Sequence, residues 1–136
     1  MNVFAMPGYY LLDLPGYGYA RASHADRRAF RLLVTHALER PGLAGVLWLL
    51  DIRRAPSAED LGMRERFAER ATRVLAAVTK SDKLPHAQRP ARVRELSASL
   101  ELDVDQVIAT SARRGEGIEE LREAIAGLVG AAQSPG

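Results

Sequence analysis

Three short runs of aliphatic residues, each closing on a polar one, constrain this chain more than any other feature. They are residues 44–51 (AGVLWLLD), 73–79 (RVLAAVT) and 105–110 (DQVIAT). The first two are apolar at nearly every position rather than every second one. That is the pattern of a strand covered on both faces, as in a parallel sheet. Segments of helical spacing separate the runs. Residues 57–60 (SAED) open a helix that carries Leu61, Phe67, Ala68 and Ala71 on one side; a further helix is predicted over about 88–100; a last one carries Ile118, Leu121, Ile125 and Leu128. Glu119 and Glu120 open that last helix, where the helix dipole favours acids. Strands alternating with helices imply right-handed crossovers and a three-layer, mostly parallel α/β sheet.

The amino-terminal third reads differently. Residues 3–5 (VFA) and 9–14 (YYLLDL) flank Pro7-Gly8, a turn signal, so a hairpin is expected, with 9–14 as a buried strand. A helix is predicted from 23 to 40. Phe30, Leu33, Val34, Ala37 and Leu38 form its apolar stripe, Ser23 with Asp26 its N-cap, and Pro41-Gly42 its stop. Residues 1–130 are expected to form one domain and 131–136 a disordered tail.

Composition excludes several classes. Of 136 residues, 47% are hydrophobic and 26% charged, which argues against global disorder. Cys is 0, so there is no disulfide scaffold. No apolar run approaches the roughly 18 residues of a membrane span. MNVFAMPGYY lacks the basic start of a secretion signal. A soluble, cytoplasmic domain without membrane contact is expected. Nineteen basic against 17 acidic residues leave +2, too little to assign a nucleic-acid partner. The basic set is lopsided, however: both lysines, Lys80 and Lys83, fall within four residues, and every other basic side chain is Arg.

Ligands of parallel α/β sheets bind beyond the carboxyl ends of the strands. Those ends read DLPG (13–16), DIR (51–53), TKSD (79–82) and TSA (110–112). Asp13 could hold a water of a bound Mg²⁺, and Gly16 lets a backbone N–H approach a phosphate. Each could equally be part of an ordinary Pro-Gly turn. The Asp82 carboxylate can accept two parallel hydrogen bonds from the N1–H and N2–H₂ edge of guanine, and the Lys80 stem can lie along the base. The plainer alternative is a helix-capping Asp. Ser111 and the small Ala112 would let a backbone N–H reach guanine O6; the alternative is a Gly-rich turn using Gly115 and Gly117. Order and placement make the set more specific than any member.

LDLPGYGYA at 12–20, TKSDKL at 79–84 and TSA at 110–112 together resemble the EngB (YihA/YsxC) group of bacterial GTPases, within the translation-factor-like P-loop GTPases. LDIR at 50–53 is similar too. The resemblance covers about residues 2–129. It implies a P-loop-GTPase-like fold, GTP and GDP as ligands with Mg²⁺, and action in large ribosomal subunit assembly and normal cell division and septation. By position it assigns nucleotide contacts to Asp13, Leu14, Pro15, Gly16, Tyr17, Thr79, Lys80, Ser81, Asp82, Thr110, Ser111 and Ala112. Asp13 would face the metal through water. Tyr17 stands where other GTPases carry a water-orienting Gln, and 18–26 would form the second switch.

No GxxxxGK[ST] occurs anywhere in the chain, and no Lys precedes residue 80. The phosphate-cradling loop of a P-loop GTPase and the first-switch Thr therefore have no candidate. The resemblance places them, with the family's first strand and first helix, upstream of Met1, so a truncated record is expected. The strands at 9–14 and 44–51 would then each lack a neighbour, and each unpaired buried backbone group costs roughly 1–3 kcal/mol. A completed protein would be monomeric; unpaired edges could instead drive self-association. Guanine has about 11 heavy atoms, and about 0.3–0.5 kcal/mol per atom gives about 3–5 kcal/mol, a Kd near millimolar. Weak nucleotide binding and no hydrolysis by the chain alone are expected, so no catalytic residue is assigned. The competing reading is a non-enzymatic remnant that binds rRNA or protein without nucleotide.

His24, His36 and His86 share no ligand spacing. Arg27, Arg28 and Arg31, and Arg89, Arg92 and Arg94, form two basic clusters. They read as solvated helix faces or, by the resemblance, as contacts to ribosomal RNA. Trp48 lies inside an apolar run and is expected in the core.

Overall fold

The structure is a computed structural model that describes residues 2–16 and 23–133. They fall into two compact units, one up to Leu43 and one from Ala44 onward.

The first unit begins with an antiparallel hairpin, β1 (Asn2–Met6) and β2 (Tyr9–Asp13), with Asn2 opposite Asp13 and Met6 opposite Tyr9. Gly8 takes φ +86° in the turn, as the Pro-Gly signal predicts. The strand at 9–14 is not buried, however. Tyr10 is 75% exposed and Asp13 is exposed, because a two-stranded sheet has too little surface to enclose its own side chains. Helix α1 (His24–Leu38) follows. Ser23 Oγ accepts from the Asp26 N–H and the Asp26 carboxylate accepts from the Ser23 N–H, a complete capping box. Val34 is its buried residue.

The second unit is a three-stranded parallel sheet, β3 (Val46–Asp51), β4 (Val74–Thr79) and β5 (Val107–Ala109), in that spatial order. Helix α2 (Ala58–Glu69) joins β3 to β4, α3 (Arg89–Ser99) lies between β4 and β5, and α4 (Ile118–Gln133) follows β5. This is the α/β alternation that the apolar runs imply. Ser57 and Asp60 form a second capping box, and Pro90 sits in the first turn of α3, where its missing N–H costs nothing. The core is β4, buried from Val74 to Val78, with Trp48, Leu50, Ile52, Phe67, Leu96, Leu100 and Ile108. Trp48 meets Phe67 edge to face at 5.3 Å, which fixes α2 on β3.

Three details depart from expectation. Leu49 is 62% exposed, so 44–51 is not covered on both faces; β3 is an outer strand of this sheet, where a flanking helix reaches one side only. Strand β5 is three residues long because a 3₁₀ turn (Val104–Gln106) occupies the start of the predicted run. Helix α4 extends three residues into the segment expected as tail.

Candidate functional site

Parallel register brings the carboxyl ends of β3, β4 and β5 to one end of the sheet. Asp51 pairs with Thr79, and Val78 with Ala109. Thr79 Oγ1 donates to the Leu50 carbonyl at 3.3 Å, tying the two strand ends. The next residue, Lys80, is in the left-handed region (φ 59°, ψ 34°). A β-carbon there costs roughly 1 kcal/mol, tolerated where surrounding bonds over-determine the backbone. Those bonds are present. The Ser81 N–H donates to the Thr110 carbonyl at 3.0 Å, and Ser81 Oγ donates to the Val78 carbonyl at 3.1 Å. Ser81 is buried, and its hydroxyl shapes the loop from inside.

The sharp turn at Lys80 opens a 3₁₀ turn, Ser81–Lys83, which carries Asp82 outward. From β5, the Thr110 N–H bonds to the Val78 carbonyl, and Ser111, fully buried, turns the chain. Ser111 Oγ donates to Asp82 Oδ1 at 2.9 Å and accepts from the Arg114 N–H at 3.2 Å. A bridge between Ser111 and Glu116 closes the loop that holds the exposed Ala112. The Ser111 hydroxyl foremost, then the Asp82 backbone N–H and the charges of Lys83 and Arg113, keep the Asp82 carboxyl below the usual carboxylate range against the opposing effect of burial. At neutral pH it is an anion with one oxygen held by the Ser111 hydroxyl.

Thus Thr79, Lys80, Ser81, Asp82, Thr110, Ser111 and Ala112 converge on one end of the sheet. Asp13, Leu14, Pro15 and Gly16 lie at the end of β2 in the other unit, and Tyr17 with most of the second-switch segment, 17–22, lies outside the described residues. Asp13 is a lone carboxylate: among the described residues no group of three His, Asp or Glu side chains is placed to hold a metal ion. The described residues do not by themselves make a Mg²⁺ site.

A charged pair not among the sequence-predicted contacts stands beside Lys80. Arg53 donates from Nε to Asp51 Oδ1 at 3.1 Å and from Nη2 to Oδ2 at 2.8 Å; its N–H also donates to Oδ1 at 2.9 Å. Lys80 Nζ lies 3.7 Å from Asp51 Oδ2. The Arg53 side chain foremost, with the Lys80 charge also contributing, pulls the Asp51 carboxyl down to about 2. Two opposite charges two residues apart just past a strand were visible in the sequence; their closeness to Lys80 depends on the β3–β4 register. The second arginine cluster is likewise reassigned in part. Arg92 Nε donates to the Ile52 carbonyl at 2.8 Å and Arg89 is held between loops, leaving Arg94 exposed.

Known proteins share this sequence and this fold. The chain is 44% identical over 122 residues to a probable GTP-binding protein EngB of Gemmatimonas aurantiaca, covering 89% of this chain and 60% of that protein. It is 36% identical over 122 residues to the same-named protein of Syntrophomonas wolfei, covering 89% and 63%. With that of Pelotomaculum thermopropionicum it shares 35% over 133 residues, covering 96% and 67%. The chain thus spans about three fifths to two thirds of the length of these relatives. No family model matches it. Among solved structures, a probable GTP-binding protein EngB superposes with TM-score 0.80 at 18% identity, covering 94% of this chain and 82% of that one. The G-domain of FeoB from Methanococcus jannaschii does so at 0.58 and 23%, covering 93% and 77%. At these identities the structural likeness speaks for the fold alone.

Proposed function

Since this chain belongs to the EngB family of GTP-binding proteins, we propose that the end of its parallel sheet recognises the guanine base of GTP and GDP. Asp82 accepts the N1–H and N2–H₂ donors, the Ala112 amide donates to O6, and the Lys80 stem covers one face of the ring. Thr79, Ser81 and Thr110 give the two loops their shape. Support comes chiefly from the 2.9 Å bond between Ser111 Oγ and Asp82 Oδ1. It orients an ionised carboxylate beside a small-residue loop, the arrangement that a donor edge flanked by a carbonyl requires.

Residues 1–130 act as one nucleotide-binding domain in this reading, with Asp13, Leu14, Pro15, Gly16 and Tyr17 toward the phosphates. Mg²⁺ would accompany GTP, and Asp13 would meet it only through water, since the described residues form no Mg²⁺ site of their own. The chain as it stands grips the nucleotide mainly by its base, at a Kd near millimolar by the per-atom range of about 0.3–0.5 kcal/mol, and does not hydrolyse GTP alone. Its cellular role is in assembly of the large ribosomal subunit in the cytoplasm, and through it in division and septation. The exposed arginines Arg27, Arg28, Arg31 and Arg94 are available to ribosomal RNA.

Titration of the 136-residue chain with GMP, IMP and AMP, followed by amide NMR, tests the base reading. GMP at millimolar concentration is expected to shift the amides of 80–83 and 111–115, IMP less because it lacks the N2 amino group, and AMP not at all. Asp82→Asn should abolish the GMP response. Equal responses to GMP and AMP would refute it.

A further inference from the structure

Arg89 joins the two loops that carry the proposed base contacts. It stands at the first turn of α3, just past the loop that follows β4, and its side chain is only 12% exposed. Nε donates to the Leu84 carbonyl at 3.2 Å, at the far end of the Asp82 loop. Nη1 donates to Glu116 Oε2 at 2.7 Å, at the far end of the Ser111 loop, and lies 3.4 Å from His86 Nδ1. The Glu116 carbonyl in turn accepts from the Ser111 N–H at 2.9 Å. The contacts make a closed ring: Asp82 to Ser111, Ser111 to Glu116, Glu116 to Arg89, Arg89 to Leu84, and Leu84 back along the chain to Asp82. Arg114 also lies near Glu116, at 4.0 Å, but it is 61% exposed and water screens it. The ring therefore closes through Arg89.

We propose that the Arg89–Glu116 pair is a positioning device for base recognition, setting the separation between the Asp82 carboxylate and the Ala112 amide. The proposal rests on the guanine-base reading above. Arg89 does not touch the base; it acts through the two loops. Binding a planar edge by a carboxylate on one loop and an amide on another is sensitive to a fraction of an ångström in their spacing. The Ser81–Thr110 bond holds the root of the loops, the Ser111–Asp82 bond their middle, and the Arg89 contacts to Leu84 and Glu116 join their outer ends. A planar guanidinium does this with donors on separate nitrogens, Nε and Nη1, at a fixed spacing that a flexible ammonium lacks.

The test uses the 136-residue chain, Arg89→Met, which keeps the stem and removes the donors, and Glu116→Ala. Amide hydrogen exchange is read on 80–84 and on 111–116 against the β4 amides. Binding of GMP and IMP is read by the same NMR titration. Both variants should speed exchange on both loops by about tenfold relative to β4, as loss of a partly buried charged hydrogen bond permits. Both should bring the GMP-over-IMP preference toward unity while IMP itself loses little. The double variant should be no worse than either single one. Loops that exchange as in the wild type, or GMP and IMP affinities that fall by the same factor, would overturn the proposal. A wild-type chain that binds IMP as well as GMP overturns the base reading and this role with it, and does so before any variant is made.

Discussion

Gly117→Ala tests how tightly the loop after β5 is built. Gly117 has φ +73°, in the left-handed region. A β-carbon added there would overlap the Ala109 carbonyl oxygen and lie 3.2 Å from the Ala109 carbonyl carbon and 3.3 Å from Thr110 Cα. All three are backbone atoms, so no rotamer change relieves the overlap. The left-handed conformation costs a non-glycine residue about 1–2 kcal/mol. Relieving a backbone overlap adds about 1–3 kcal/mol of overpacking strain. It must move the end of β5, whose Ala109 pairs with Val78 and whose Thr110 N–H bonds to the Val78 carbonyl. The sum, about 2–5 kcal/mol, is a large part of an ordinary domain stability of about 5–15 kcal/mol. Gly115 is the internal control: φ is +71° but nothing lies within 4 Å of the added carbon, so Gly115→Ala should cost about 1–2 kcal/mol. Urea unfolding of both variants, read by the fluorescence of Trp48, the one Trp of the chain and 4% exposed, supplies the difference. The two variants unfolding within about 0.5 kcal/mol of each other would refute a rigid contact at Gly117.

Asp51 should give a pH signature. Its carboxyl is lowered from 3.8 to about 2, so its contribution is complete above about pH 4 and fades as pH falls toward 2. The full shift corresponds to about 2.5 kcal/mol, which solvent screening of the half-exposed Arg53 reduces to about 1–2 kcal/mol. Urea unfolding from pH 5 to 2 should show this loss in the wild type and not in Asp51→Asn; parallel profiles would contradict it. Phe67→Ala, removing a 4% exposed ring from the edge contact with Trp48, should cost about 3–5 kcal/mol in the same assay. Ser57→Ala breaks the α2 capping box and should cost about 1 kcal/mol, with Ser57→Gly milder; equal losses would argue against the cap.

How much of this was legible beforehand depends on the range of the interaction. The hairpin turn at Pro7-Gly8, the capping boxes Ser23/Asp26 and Ser57/Asp60, and the burial of β4 follow from residues within a few positions of one another. Local backbone preference and side-chain size decide those, so the chain alone specifies them. The fold class was legible for the same reason: a repeated strand–helix order admits few topologies. Lys80, Asp82 and Ser111 were legible as candidates, because polar residues just past apolar strands stand where such sheets bind ligands. What they touch was not. The Ser111–Asp82 bond spans 29 positions, Arg89–Glu116 spans 27 and Arg92 to the Ile52 carbonyl spans 40. Each depends on parallel register setting particular strand ends side by side: β3 against β4 for Arg92 and Ile52, β4 against β5 for the other two. The same cause separates two readings of one composition. Arg89 and Arg94 are alike in the chain, yet the tertiary structure holds one guanidinium between two loops and leaves the other exposed, since burial is a property of what surrounds a side chain and not of the side chain itself.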